Sequence, residues 1–120
     1  MRRRVAYISL LISLVAASSL SFSGGRPGQD NSERIPRKAL EVYEYVVEHH
    51  SAPSGHVGGR IFRNREKRLP QGGNYHEFDV NPKVRGRNRG AERIVVDYKT
   101  GNGWYTRDHY RTFIPIPRGP

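Results

Sequence analysis

The sequence contains no cysteine, so no disulfide bond can cross-link the chain. Thiol content therefore gives no information about the compartment in which the protein works. The chain has 120 residues and no internal repeat, which leaves room for one domain with a modest core and no room for a second. Burial of apolar side chains has to hold such a domain together, and we expect it to be only moderately stable.

Acidic residues are also scarce in this chain. There are 21 Lys and Arg residues against 11 Asp and Glu residues, giving a formal net charge of +10 at pH 7. A positive field of this size favours phosphate polymers, anionic lipids or acidic proteins as partners, and it carries no information about the fold. The simpler alternative is surplus charge that only aids solubility.

The apolar run at the start of the chain is too short to cross a membrane, which takes roughly 18 to 20 residues. It covers only thirteen residues, Val5 to Ala17, and follows Arg2, Arg3 and Arg4. This arrangement is typical of a secretory signal peptide, so we expect a secreted protein with no stable membrane association once the leader is removed. The predicted organisation is a signal peptide over about residues 1–25, a flexible polar tether over 26–35 and a single domain over 36–120.

The remaining sequence predicts one helix followed by short strands. From Pro36 to about His49, apolar residues recur at helical spacing, and Pro36 suits a first helical turn. Beyond Gly59, β-type runs follow at 60–62, 75–80, 93–98, 103–105 and 110–114, and the turns between them are too short for crossover helices. The predicted class is α+β, with one N-terminal amphipathic helix packed on a small antiparallel β-sheet of four to five strands.

Glu77 is a candidate general base. Strand alternation over residues 75–80 places Glu77 and Asp79 on one face and sends Phe78 and Val80 into the core. A rigid strand holds a carboxylate on its open face in a fixed position, and proton transfer requires such accurate positioning of the base. From this segment alone, the favoured interpretation is a solvated glutamate.

A cluster of arginines follows within nine positions: Arg85, Arg87, Arg89 and Arg93. Guanidinium groups grip phosphate in a planar, bidentate manner. Arg93 begins a strand, so it should be better ordered than the three arginines of the preceding loop. The alternative is a basic loop that binds polyanions loosely, without chemistry.

His109 lies in a tight polar turn and is a candidate general acid. An imidazole takes up a proton in mildly acidic surroundings, where a glutamate is already ionised, so Glu77 and His109 suit opposite proton roles. The 2′-hydroxyl of RNA can itself attack the neighbouring phosphorus. A carboxylate, paired arginines and an imidazole therefore suffice to cleave RNA with no metal and no cofactor. The other histidines are better explained as helix-end, loop or structural residues: His49, His50, His56 and His76.

The segment from Ile61 to Glu66, followed by Leu69-Pro70, closely resembles the base-recognition loop of secreted bacterial guanyl-preferring ribonucleases, the barnase-like microbial ribonucleases. The resemblance continues in the family's order over roughly Gly59 to Phe113. Its further blocks are Tyr75-His76-Glu77, Arg89 with Arg93 four positions later, and Asp108-His109-Tyr110 with Thr112-Phe113. Four ordered blocks at compatible spacing are far more specific than any one of them.

This resemblance implies a role for each matching residue. Glu77 corresponds to the general base that takes the proton of the 2′-hydroxyl, and His109 to the general acid that protonates the departing 5′-oxygen. The product is a 2′,3′-cyclic phosphate, which is hydrolysed later with the two roles reversed. The residues implied to bind the phosphate are Arg65, Arg89, Arg93 and Tyr110.

The resemblance also implies how guanine is recognised. Glu66 would accept hydrogen bonds from N1 and N2 of the base, and Phe62 would stack on it. Backbone amides around Arg63, Asn64 and Arg65 would donate to O6. Plain turn chemistry is the alternative for Asn64 and Glu66. Two departures from the family, the added charge of Arg63 and the basic loop 85–89, suggest altered base preference and subsite use.

We therefore expect a secreted, metal-independent endoribonuclease that cleaves single-stranded RNA after guanosine. The first alternative is a secreted cationic module that binds nucleic acid without cutting it. A factor acting on anionic membranes is disfavoured, because no helix is strongly basic on one face and strongly apolar on the other. The resemblance also suggests a small acidic, barstar-like inhibitor as a partner, and we expect a monomer.

Overall fold

The computed structural model describes residues 34–118, so the predicted signal peptide and most of the predicted tether lie outside the described residues. One helix, α1 (Arg37–His49), precedes five strands, and the predicted α+β class is confirmed. The strands form a single antiparallel sheet in which each strand pairs with its neighbour in sequence. Within residues 34–118, no helix has the length and apolarity needed to pass through a bilayer. The strands are β1 (Gly58–Ile61), β2 (Tyr75–Asp79), β3 (Arg93–Asp97), β4 (Gly103–Thr106) and β5 (Ile114–Pro115).

The helix has the predicted extent and buries the predicted face. It starts directly after Pro36, whose fixed φ of −59° suits a helix entry, and stops where His50 adopts a left-handed φ of 52°. Its buried stripe packs on one face of the sheet. Ile35, the last residue of the predicted tether, is instead only 4% exposed and belongs to this core. Ile35 is ordered rather than flexible because burying an isoleucine side chain beside the start of the helix stabilises the fold.

The core between helix and sheet is built from alternate strand residues. Phe78 and Val80 point toward the helix from the second strand and its end, and Ile94 and Val96 do so from the third. All four are at most 1% exposed. Burying one side chain of this kind contributes about 1.5–3 kcal/mol, so this face supplies most of the stability of the domain.

The prediction of a last strand over residues 110–114 is wrong for all of these residues except Ile114. Residues 110–113 are not extended, and only Ile114 of the predicted strand lies in β5. Tyr110 has a left-handed φ of 73°. Two side chains take the backbone donors that a strand would use: the Tyr110 amide donates to the Thr106 hydroxyl, and the Thr112 amide donates to the Asp108 carboxylate. These hydrogen bonds replace the ladder and hold a turn in its place.

The first strand is an edge strand with a bulge. Gly59 has a φ of 107°, and the pairing register shifts between Gly58 and Arg60. As a result Arg60 lies directly opposite Glu77. A Cβ at Gly58 would approach the Phe78 ring to 2.5 Å, so this close contact between strands requires glycine.

Candidate active site

The sheet face away from the helix carries a cleft of about 800 Å³. Phe62, Tyr110 and Phe113, which line the cleft, pack against a second apolar cluster, in which Leu69, Tyr75 and Val95 are buried. Aromatic side chains form a wall: the Phe62 ring lies 5.2 Å from that of Tyr110. All the residues predicted to recognise guanine line this cleft together with the two predicted proton-transfer groups: Phe62, Arg63, Asn64, Arg65, Glu66, Glu77 and His109.

A smaller cavity of about 280 Å³ adjoins this cleft and holds two of the three arginines predicted to bind phosphate, Arg89 and Arg93. The third, Arg65, lines only the larger cleft. Glu77, His109 and Tyr110 line both cavities, whereas Arg89 and Arg93 line only the smaller one. The fold therefore brings together a carboxylate from β2, an imidazole from the turn after β4 and two guanidinium groups. Proton transfer and charge stabilisation at one phosphate require such a grouping.

Asp79 organises the two arginines. Its carboxylate lies 2.9 Å from Nε of Arg93 and 3.3 Å from Nη1 of Arg89. Asp79 and Arg93 are direct cross-strand partners, so their side chains share the cleft face. Strand alternation predicts Asp79 on the face of Glu77, but no role for Asp79 was predicted. Its position two residues after Glu77 on the same strand was the available signal.

The two arginines differ in burial and rigidity. The Arg93 side chain is 7% exposed, and its Nη1 also donates to the carbonyl oxygens of Gly90 and Glu92 at 3.0 and 2.8 Å. The Arg89 side chain is 39% exposed and comes from the loop before β3. Arg93 is thus the better-ordered group, as predicted from its place at a strand start.

Hydrogen bonds hold the turn that presents His109. The His109 amide donates to the Ala91 carbonyl at 3.1 Å, and the residue has a left-handed φ of 56°. Asp108 accepts hydrogen bonds from the hydroxyl groups of Thr106 and Thr112 at 2.9 and 2.7 Å. The backbone and side-chain hydrogen bonds from Thr112 lower the pKa of Asp108 to about 2. Asp108 is therefore an anion throughout the neutral range, and its bonds with both threonines fix the turn.

Tyr110 lies where the cleft meets the smaller cavity that holds Arg89 and Arg93. Burial raises its pKa well above the ordinary 10.0, and the negative charge of Glu77 raises it further, while Arg93 acts in the opposite direction. The phenol therefore stays protonated and can donate a hydrogen bond in the cleft. The resemblance had implied that Tyr110 lies near the phosphate, and the residue does line both cavities.

Asn64 shapes the loop of the base-recognition block. It has a left-handed φ of 51°, and its side chain both donates to the Leu69 carbonyl and accepts from the Leu69 amide, at 2.8 and 3.0 Å. Its own carbonyl accepts from the Lys67 amide at 2.9 Å. The side chain of Asn64 thus stabilises the turn, as the alternative interpretation proposed.

Glu66 is exposed, with 71% of its side-chain surface accessible, and it pairs with Arg68 at 2.7 Å. Arg68 also donates to the Arg111 carbonyl at 2.8 Å, which ties this loop to the turn after His109. The ion pair with Arg68 therefore orients the Glu66 carboxylate at the rim of the cleft. Among residues 34–118, no group of three or more His, Asp or Glu side chains is arranged to hold a metal ion.

The sequence profile of the ribonuclease family matches residues 21–117. The chain belongs to this family. Guanyl-specific ribonuclease Sa from Kitasatospora aureofaciens is 44% identical over 85 residues, covering 68% of this chain and 85% of that protein. Guanyl-specific ribonuclease St from Saccharopolyspora erythraea is 38% identical over 81 residues, covering 66% of this chain and 77% of that protein.

Solved structures agree with this assignment. A crystal structure of ribonuclease Sa2 with guanosine-2′-cyclophosphate superposes with a TM-score of 0.55 at 34% identity, covering 71% of this chain and 89% of that chain. The predicted resemblance to guanyl-preferring microbial ribonucleases is thereby confirmed for this ribonuclease. The roles of its individual site residues stay predictions.

Proposed function

We propose that this ribonuclease is a guanyl-preferring endoribonuclease that cleaves single-stranded RNA through a 2′,3′-cyclic phosphate. The observation that carries the proposal is the shared cleft: Glu77 and His109 line it together with the base-recognition loop. The guanyl-specific relatives and the Sa2 complex with a guanosine cyclophosphate support the same activity. RNA is thus the substrate partner.

The proposed reaction needs no covalent enzyme intermediate. Glu77 takes the proton of the guanosine 2′-hydroxyl, and the resulting oxygen attacks the adjacent phosphorus. The bond from phosphorus to the 5′-oxygen breaks as His109 donates a proton to that oxygen. Arg89 and Arg93 stabilise the added negative charge on the phosphoryl oxygens, and their position is supported by the shared carboxylate of Asp79. Water then opens the cyclic phosphate with Glu77 and His109 in exchanged roles.

Guanine preference is proposed to arise in the loop from Phe62 to Glu66. Phe62 offers a ring face to the base, and the rim carboxylate of Glu66 matches the two donors on the guanine edge. A base without those donors would cover the carboxylate and leave it with Arg68 as its sole partner, and this penalty disfavours such a base. Arg63 adds a positive charge at the same rim and is exposed.

The decisive experiment digests a defined oligoribonucleotide, with product ends identified by mass. We expect a guanosine 2′,3′-cyclic phosphate end, no cleavage of DNA of the same sequence and full activity in EDTA. Glu77→Gln and His109→Ala should each lower the rate of cleavage by at least about 10²-fold while leaving RNA binding intact. Binding of RNA with no cyclic product from the unaltered protein would favour the non-catalytic alternative, and loss of activity in EDTA would refute metal independence.

Three further properties are proposals of the same kind. We propose that the protein is secreted, which mass analysis of the N-terminus from culture medium would test. We propose that it acts as a monomer, to be measured by sedimentation. We also propose a small acidic, barstar-like inhibitor in the producing cell, because the basic cleft would speed association with an acidic partner. Harmless intracellular expression of active enzyme in an unrelated host would contradict the need for one.

A further inference from the structure

A second basic groove lies beside the catalytic cavity. It is formed where the loop before β1 meets the loop after β2, because the Lys83 amide donates to the Gly55 carbonyl at 2.8 Å. Its lining residues are Gly55, His56, Val57, Lys83 and Arg85. Lys83 and Arg85 are exposed, and the lining includes no carboxylate.

This groove adjoins the catalytic cavity. Val57 lines both, and its carbonyl accepts a hydrogen bond from the Asp79 amide at 2.8 Å, so one short backbone segment separates the two spaces. Arg60 lies on the same side, because the bulge at Gly59 pairs it with Glu77 and its side chain lines the catalytic cavity. A path of positive groups thus leads outward from the reacting phosphate.

The positive side chains of the groove form no ion pairs with the described carboxylates of the protein. Arg89 and Arg93 share the carboxylate of Asp79, which offsets part of their charge. Within residues 34–118, by contrast, no salt bridge involves Arg60, Lys83 or Arg85. Exposed cations without an internal partner, placed in line with a phosphate site, are suited to a polyanionic strand.

We infer that the groove between residues 55–57 and 83–85 is a second phosphate-binding subsite for the RNA strand whose scissile phosphate lies in the cleft. Lys83 and Arg85 bind a neighbouring phosphate of the same strand, and Arg60 bridges the two phosphates. The inference rests on the proposed function. It adds that substrates with more than one phosphate are cleaved faster than a dinucleoside phosphate, which reaches only the catalytic cavity.

The test compares Lys83→Ala/Arg85→Ala with a matched control, Arg34→Ala/Arg37→Ala. The control removes the same charge from exposed positions at the helix end of the molecule, away from the cleft face. The kcat/KM of each protein is measured on GpU, which has only the scissile phosphate, and on GpUpU and UpGpU, which add one phosphate on the 3′ or the 5′ side. Thermal unfolding checks that both variants fold, as expected for exposed side chains.

For one of the extended substrates, we expect the Lys83/Arg85 variant to lose about fivefold more kcat/KM than it loses on GpU, the effect of two exposed ionic contacts. The dependence of log(kcat/KM) on log salt should also become shallower by about 0.7 for each lost phosphate contact. The extended substrate that responds identifies the side on which the strand occupies the groove.

Equal losses of kcat/KM on all three substrates, or losses matched by the control variant, would overturn the subsite. They would indicate only a general electrostatic attraction between the basic protein and RNA. A second variant, Arg85→Glu, reverses one charge and should enlarge the difference between GpU and the extended substrate; no enlargement would also overturn the subsite. These results are distinct from failure of the proposed function, in which the unaltered protein would cleave none of the three substrates.

Discussion

The two faces of the sheet are built from the same strands but hold together in different ways. On the helix face, Phe78 and Ile94 are fully buried among apolar side chains. On the cleft face, the adjacent residues Asp79 and Arg93 are also buried, at 3% and 6% exposure, but they are charged and paired. Burial is non-directional and tolerates adjustment, whereas a buried ion pair requires its partner in place. The helix face therefore supports the fold, and the cleft face trades stability for an exact arrangement of charge.

The sharpest test of this contrast is Glu77→Gln. The change keeps the shape of the side chain and removes the predicted base, so we expect kcat/KM on RNA to fall about 10²- to 10⁴-fold. The unfolding temperature should hardly move, because Glu77 lies on the cleft side and is not part of either buried cluster. Steady-state kinetics and thermal unfolding of one sample measure both quantities. Activity within threefold of the unaltered protein would remove Glu77 from the mechanism.

Substitution of the neighbouring residue, Phe78→Ala, should lower stability and leave catalysis unchanged. Phe78 is 0% exposed on the helix face, and its truncation leaves a cavity that lowers the free energy of unfolding by about 3–5 kcal/mol. Molecules that remain folded should keep their kcat. Urea unfolding measures the loss, and Phe78→Leu, which keeps most of the volume, should lose much less. A loss of kcat as large as that of Glu77→Gln would show that the two faces are not independent.

Asp79→Asn should affect both properties, because this carboxylate is buried and also orders the arginines. Loss of its charge leaves Arg93 buried without its ionic partner, and we expect a loss of about 3 kcal/mol in unfolding free energy. We also expect kcat/KM to fall roughly tenfold, since Arg93 keeps its two carbonyl acceptors and only part of its order is lost. As a control, Arg89→Lys keeps the charge of the exposed arginine and should leave stability almost unchanged. A variant of Asp79 with unaltered kinetics would show that the carboxylate serves stability alone.

The smallest effect should come from Asp97, which lies on the cleft face but lines neither cavity of the candidate site. Burial acts to raise the pKa of Asp97, but hydrogen bonds from the amides of Asn74 and Lys99 and the hydroxyl of Thr100 outweigh it and lower the pKa below the ordinary 3.8. A lowered pKa in the folded state stabilises the fold above the unfolded value and loses that contribution as the pH falls through the folded value. Asp97→Asn should therefore cost about 1 kcal/mol at neutral pH and progressively less in acid. Urea unfolding from pH 7 to pH 2 measures this, and a difference that grows in acid would reverse the assignment.

Local patterns were sufficient for much of the fold. The helix from Arg37 was visible in the spacing of its apolar residues, and four strands were visible as short runs between turns. The alternation over residues 75–80 also placed Glu77 and Phe78 on opposite faces. These features depend on residues a few positions apart, so the chain itself specifies them.

The arrangement of the site was less accessible from the sequence. The side chains of Thr106 and Asp108 prevent the predicted last strand from starting at Tyr110, and this competition between side chain and ladder is visible only in three dimensions. The exposure of Glu66 and its pairing with Arg68 were not foreseen either, since they depend on how the loop folds over the cleft.

By itself, the sequence determined which residue types can act and on which face of a strand each one lies, because periodicity acts locally along the chain. Only the tertiary structure decided which distant residues meet. Strand register makes Asp79 and Arg93 partners, a bulge places Arg60 opposite Glu77, and a turn after β4 brings His109 to the cleft. The reason is physical, since these contacts join parts of the chain far apart in sequence and depend on pairing and packing that no local pattern encodes.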